Sequence, residues 1–209
     1  MTTKEKIIDE ALTLFSTKGY QGTSVKNIAD AVGIKDSSLY KHYKSKKEIF
    51  DTIVLEMSMR MEGMSRGLGL PGEENMEKAA FGYGQLTAEG LWELSKNIYL
   101  YYLRDEFAAR FRRMLTIEQF RDREIYEVYR KIFMEDSITY QTQLFGEMIR
   151  QGIFIEANPA AMAVNFYAPV YFLLNKYDQE WGREDEALAE LKQHVEEFGR
   201  IYLKRDRDA

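Results

Sequence analysis

The reading turns on residues 23–50, TSVKNIADAVGIKDSSLYKHYKSKKEIF. Two short helical patterns meet there at Gly33. In the first, Val25, Ile28, Ala29 and Val32 fall at helix spacing and face inward, with Thr23 placed to cap the amino end. The second runs from about residue 35 to 42 around Leu39 and is otherwise too polar for a core. A supporting helix precedes them. Ile7, Ala11, Leu14 and Phe15 share one face, which predicts a helix over 3–18, and Gly19 sits where a left-handed C-terminal cap belongs. Downstream, Ser45 and Glu48 form an S-x-x-E capping box that opens a long fourth helix, reaching roughly residue 63 or 66. Its inner face uses Ile49, Ile53, Leu55 or Glu56, Met57, Met61 and Met64.

Two short helices about a glycine turn, after a supporting helix, make the helix-turn-helix pattern. Charge agrees with it. The whole chain carries −5, yet residues 1–50 hold nine lysines and six acids, a net of +3, which leaves −8 on the rest. Phosphate binding follows local charge, so an acidic pI does not exclude nucleic acid. Phosphates bind cations, hydroxyls and helix amino ends. Thr23 and Ser24 open the second helix, Lys46 opens the fourth, and Tyr40, His42 and Lys44 lie near the end of the third. Lys35, Asp36, Ser37, Ser38 and Lys41 offer donors, an acceptor and a small surface for base edges in the major groove. The bland alternative makes Leu39 and Tyr43 core, Tyr40 half-buried packing and the lysines a solvated face.

In their order Thr23, Ile28-Ala29, Gly33-Ile34, Leu39-Tyr40, His42-Tyr43 and Lys46, these residues resemble the N-terminal domain of TetR/AcrR-family transcription regulators over about residues 5–50. A weaker similarity to the ligand-binding body of one subgroup spans 104–203, in LTIEQFRDREIYEVY, LFGEMIRQGIF and NFYAPVYFLL. Tyr43 stands where the family usually has Phe, so its hydroxyl needs a partner. Lys35 stands where Ser, Thr or Asn usually caps the recognition helix, so that cap is lost. The resemblance implies an all-α protein. Residues 1–47 would form a helix-turn-helix domain, and 48–209 a helical effector-binding and dimerisation domain.

The rest of the chain reads as helical throughout, with helices expected at about 75–102, 104–119, 122–152, 159–178 and 184–203. GLGLPGEEN, residues 67–75, reads as a linker. Its Gly67-x-Gly69-x-x-Gly72 spacing matches a dinucleotide fingerprint in form only, because a helix rather than a strand precedes it. There is no cysteine, so disulfides and thiolate metal sites are excluded. The amino terminus is amphipathic and carries acids, unlike a signal peptide. The longest near-apolar run, 160–174, is interrupted by Asn165 and Pro169 and is too short for a membrane span. A cytoplasmic protein without cofactor, metal or membrane partner is expected.

A single helix-turn-helix reads few base pairs, so a homodimer on a palindromic operator is expected. The last two helices carry candidates for its interface: Ala161, Val164, Ala168 and Phe172 on one, and Leu188, Leu191, Val195 and Phe198 on the other. Packing within the chain is the competing role. The middle helices are crowded with aromatic and methionine side chains, which suit ordinary core but also a pocket for a flat or apolar effector. Candidate effector residues are Met61, Trp92, Asn97, Tyr101, Phe111, Met114, Glu118, Gln141 and Phe145. Among them Glu118, Gln141 and Asn97 interrupt apolar stripes and need partners if buried. His42 and His194 are far apart, and no catalytic constellation is visible, so the chain is not expected to be an enzyme. The reading is a ligand-responsive dimeric regulator, a repressor, whose effector shifts the spacing of two recognition helices. The alternative of another class is an all-helical ligand carrier or interaction protein without specific DNA binding.

Overall fold

The computed structural model describes residues 1–69 and 75–204. The middle of the expected linker, including Pro71 and Gly72, therefore lies outside the described residues. The architecture is all-α, and the only strand-like pairing among the described residues is an isolated antiparallel bridge between Phe154 and Leu203. The helices are α1 (Thr3–Lys18), α2 (Val25–Val32), α3 (Asp36–Leu39), α4 (Lys46–Gly67), α5 (Met76–Gly84), α6 (Ala88–Arg104), α7 (Glu106–Glu118), α8 (Arg123–Arg130), α9 (Ser137–Arg150), α10 (Pro159–Lys176) and α11 (Glu184–Tyr202). A π-helical turn, Lys131–Asp136, joins α8 to α9. No described helix is long and apolar enough to cross a membrane.

The chain forms two compact units. One comprises Met1–Met64 with Arg104–Lys131; the other comprises Ser65–Leu103 with the chain from Ile132 onward. The expected boundary at 47/48 falls inside the first unit, near the start of α4.

In the first unit, α1 packs on α2 and α7. It buries Ile7, Ile8, Ala11, Leu12 and Phe15, so Leu12 takes the core place expected of Leu14, which is only partly covered. Burial of each such side chain stabilises by roughly 1.5–3 kcal/mol. Thr2 and Glu5 form a capping box at its start. Its end differs from expectation. Gly19 has φ 82° and ψ 159°, so it is extended with positive φ rather than left-handed helical. Gly33 is the left-handed cap, at φ 78° and ψ 32°, and its amide donates to Ala29 and Asp30. The α2 cap is Ser24, not Thr23: Ser24 Oγ accepts the Asn27 amide at 3.1 Å, and Asn27 Oδ1 accepts the Ser24 amide at 2.9 Å. Thr23 is buried because its hydroxyl donates to the Gly19 carbonyl at 2.8 Å.

The recognition segment is shorter than 35–42. Only Asp36–Leu39 is α-helical, and residues 40–43 continue as hydrogen-bonded turns, with the His42 amide donating to Leu39 at 2.8 Å. Lys35 caps α3 without a side-chain bond, as its residue type requires. At the start of α4, Ser45 Oγ accepts the Glu48 amide at 3.1 Å, but Glu48 Oε2 reaches past Ser45 to the Lys44 amide at 2.6 Å. The expected box is thus stretched by one residue. Along α4 Ile49, Phe50, Ile53 and Met57 are buried and Leu55 is exposed.

In the second unit the expected helix over 75–102 is two helices, broken at residues 85–87. Thr87 Oγ1 accepts the Gly90 amide at 3.1 Å and starts α6. Gly84 ends α5 where a β-carbon would stand 2.5 Å from Ile153 Cδ1, so any larger residue there requires the end of the isoleucine side chain to shift. Two cores form. Ala79, Phe145, Met148, Phe154, Met162 and Phe198 belong to one; Trp92, Tyr99, Leu173, Leu174, Tyr177 and Leu191 belong to the other. In the first, Phe145 meets Phe154, Phe166 and Phe198 with ring centroids 5.5, 5.9 and 5.5 Å away.

Candidate nucleic-acid interface

The helix-turn-helix places a row of polar side chains in solvent. Ser24, Lys35, Asp36, Ser37, Tyr40, Lys41, His42 and Lys44 are exposed, Tyr40 by 52%, and Ser38 is half-buried beside the core residue Leu39. These residues come from the start of α2, from α3 and from the turns after it. Lysine charges, hydroxyls and one carboxylate on so short a segment provide both backbone and base-edge chemistry.

Two residues expected to touch phosphate are turned inward. Thr23 is buried, as above. Lys46 Nζ donates to the carbonyls of Tyr20 at 2.7 Å and Thr23 at 2.9 Å, and stands 4.1 Å over the Tyr20 ring. Desolvation lowers the Lys46 pKa, while the nearby Glu118 and Asp122 carboxylates oppose that shift. Lys46 therefore ties the α1–α2 loop to α4 from within. Tyr43 is 2% exposed. Burial raises its phenol pKa, and a hydrogen bond with Thr52 supplies the partner its hydroxyl requires. Lys4 Nζ lies 5.2 Å from its ring.

Sequence spacing gave no sign of how much of the first unit comes from distant chain. Arg110 on α7 pairs with Asp9 at 2.7 Å and donates to Thr13 Oγ1 at 2.6 Å. Gln21 Nε2 donates to Asp122 at 2.7 Å, and Lys47 pairs with Glu124 at 2.9 Å. Glu118 is fully buried, and its Oε1 accepts the Gln21 amide at 3.3 Å. The carboxylate considered for an effector thus meets the α1–α2 loop.

The other candidate effector residues are dispersed. Phe111 and Met114 are fully buried in the first unit, where Met61 is partly covered. In the second unit Trp92 and Phe145 belong to separate cores, and Asn97 is exposed. Tyr101 packs edge-on against Tyr102, with centroids 5.3 Å apart. Burial pushes the Tyr102 phenol well above its ordinary range and the Tyr167 phenol up to about 12. Gln141 carries a buried Oε1 without a hydrogen-bond partner. Two surface grooves of this unit, of about 500 and 610 Å³, contain none of the candidates. Among the described residues, no group of three or more His, Asp or Glu side chains is placed to hold a metal.

The proposed interface residues divide by face. On α10 Ala161, Val164, Ala168 and Phe172 are all exposed, Phe172 by 63%. On α11 Leu191 and Phe198 are buried in the chain's own cores, while Leu188 and Val195 are partly covered beside them. His194, expected at the surface or in an interface, is part-buried, with Nε2 2.8 Å from the Phe166 carbonyl.

Residues 7–53 match the family model described as bacterial regulatory proteins, tetR family. Over 51 residues the chain is 57% identical to the biofilm operon icaADBC HTH-type negative transcriptional regulator IcaR of Staphylococcus aureus (strain Newman). That match covers 24% of this chain and 27% of the relative, so the chain spans about a quarter of the length of the curated relatives it matches. Solved structures extend the likeness to the fold of the whole chain. A TetR-family regulator from Mesorhizobium loti superposes with a TM-score of 0.67 at 20% identity, covering 97% of each chain. SmeT, in complex with triclosan, gives 0.67 at 19%, covering 100% of this chain and 95% of SmeT.

Proposed function

We propose that this chain, a transcriptional regulator of the TetR family, is a cytoplasmic repressor that binds a palindromic operator as a homodimer and leaves it when a small molecule binds the helical body. The observation that carries the reading is the exposed row Ser24, Lys35–Ser37, Tyr40–His42 and Lys44 on the basic head of an acidic chain. The negative regulator that shares 57% identity over 51 residues supports it.

Two copies meet through α10, where Ala161, Val164, Ala168 and Phe172 leave an apolar stripe in water. A palindrome then sets the separation of the two recognition segments at about 34–36 Å. An effector releases DNA only by binding the wrongly spaced state more tightly than the DNA-binding state. The SmeT–triclosan complex supports a small-molecule effector by analogy. The buried Gln141 Oε1 supports a ligand that donates a hydrogen bond. A gel shift with the duplex upstream of the chain's own coding sequence, competed by unrelated duplex, tests the DNA half. Equal affinity for both duplexes sinks operator recognition there. Retained dimer in sedimentation of Phe172→Glu sinks the α10 interface.

A further inference from the structure

Glu118 is the last residue of α7 and lies 97 positions along the chain from the loop it meets. It is fully buried. Oε1 accepts the Gln21 amide at 3.3 Å, and Oε2 is buried with no hydrogen-bond partner. A β-carbon on Gly19 would collide with Oε1, so the loop closes on the carboxylate as tightly as glycine permits. A buried carboxylate with a single amide donor needs opposite charge nearby. The Lys46 ammonium supplies it, and the same ammonium holds the Tyr20 and Thr23 carbonyls at 2.7 and 2.9 Å. One side chain of α7 thus bears on both the middle of the α1–α2 loop and the first residue of α4. The loop leads directly into Ser24 at the amino end of α2. The amino ends of α2 and α4 flank the recognition segment in the chain, and helix amino ends are general sites for phosphate because their first backbone amides lack partners within the helix.

We propose that Glu118 is a positioning residue for DNA binding: through Gln21 and Lys46 it fixes the α1–α2 loop, and so sets the amino ends of α2 and α4 relative to one another, without touching DNA itself. The inference rests on DNA binding by this unit. Charge alone argues the opposite outcome, since removing an acid makes the head more positive and strengthens phosphate binding. That opposition of sign makes the idea testable.

A duplex is first selected by the wild-type protein from a random-sequence pool. Its affinity for full-length wild type, Glu118→Ala and Glu118→Gln is then measured across a range of salt, at a temperature where circular dichroism shows each protein folded. Glu118→Ala should bind about tenfold more weakly, the scale of one hydrogen bond to a charged group. Glu118→Gln keeps an acceptor for Gln21 but no charge for Lys46, and should fall between. The salt slope should stay at the wild-type value, because no phosphate contact is removed. Gly19→Ala should weaken binding more in the wild-type background than beside Glu118→Ala, where the collision is gone and only the backbone cost of its positive φ remains. If Glu118→Ala does not fold, Glu118→Gln decides on the same criterion. Variants that bind as tightly as wild type, or more tightly, overturn the positioning role. Failure of the wild type to select any duplex overturns the DNA-binding reading instead.

Discussion

Gly33 and Gly19 carry positive φ for different reasons, and substitution separates them. Gly33 is left-handed at φ 78°, with open space where a β-carbon would go. Gly33→Ala should therefore cost only the backbone term, about 1 kcal/mol in chemical denaturation. Gly19→Ala adds a collision with Glu118 and should cost more than Gly33→Ala in the same assay. Lysines divide in the same manner. Lys44 is exposed and Lys46 is bonded to two carbonyls. Lys44→Ala should make the salt dependence of DNA binding shallower by about 1 and weaken all sequences alike, whereas Lys41→Ala should relax base preference. Lys46→Met should instead lower thermal stability, by about 1–3 kcal/mol, because it strands loop carbonyls. A stable Lys46→Met protein with a shallower salt slope would return Lys46 to the phosphate contacts.

Helices α10 and α11 present nearly the same apolar spacing in sequence and have different uses. Phe198 is 7% exposed among Phe145, Phe154 and Phe166, so Phe198→Ala should destabilise the chain by about 3–5 kcal/mol through cavity formation. Phe172 is 63% exposed. Phe172→Ala should barely change the unfolding of the isolated chain but shift sedimentation toward monomer. Equal stability losses for the two variants would mean that Phe172 is also core. The π-helical turn between α8 and α9 and the break between α5 and α6 share a cause of invisibility. Both keep a helical hydrophobic period on either side, so periodicity over 75–102 and 122–152 reads straight through them.

Over the whole molecule, buried phenols link stability to pH. Tyr83, Tyr102 and Tyr167, all of the second unit, have pKa values raised above 10.0 chiefly by desolvation. Their neutral forms are favoured when folded. Their contribution is thus fully present below the unfolded pKa near 10 and is lost as pH rises through the folded values. Denaturant midpoints should be flat to about pH 10 on this account and fall above it. Tyrosinate absorbance should show a fraction of phenols ionising only on unfolding. A midpoint that rises above pH 10 contradicts the assignment. The all-α class, the helix-turn-helix around Gly33, the uncapped Lys35 and the basic head were legible in sequence alone, because periodicity, capping chemistry and charge are local properties of a chain. The place of Thr23, the inward turn of Lys46, the meeting of Glu118 with Gln21 and the choice of which face of α10 or α11 enters the core were not. Lys46, Glu118 and the two helix faces depend on partners elsewhere in the fold, 97 residues away for Glu118, while Thr23 depends on how its loop folds back onto Gly19. A side chain's propensity and period leave that partner open; packing chooses it by desolvating the charge and closing the loop around it.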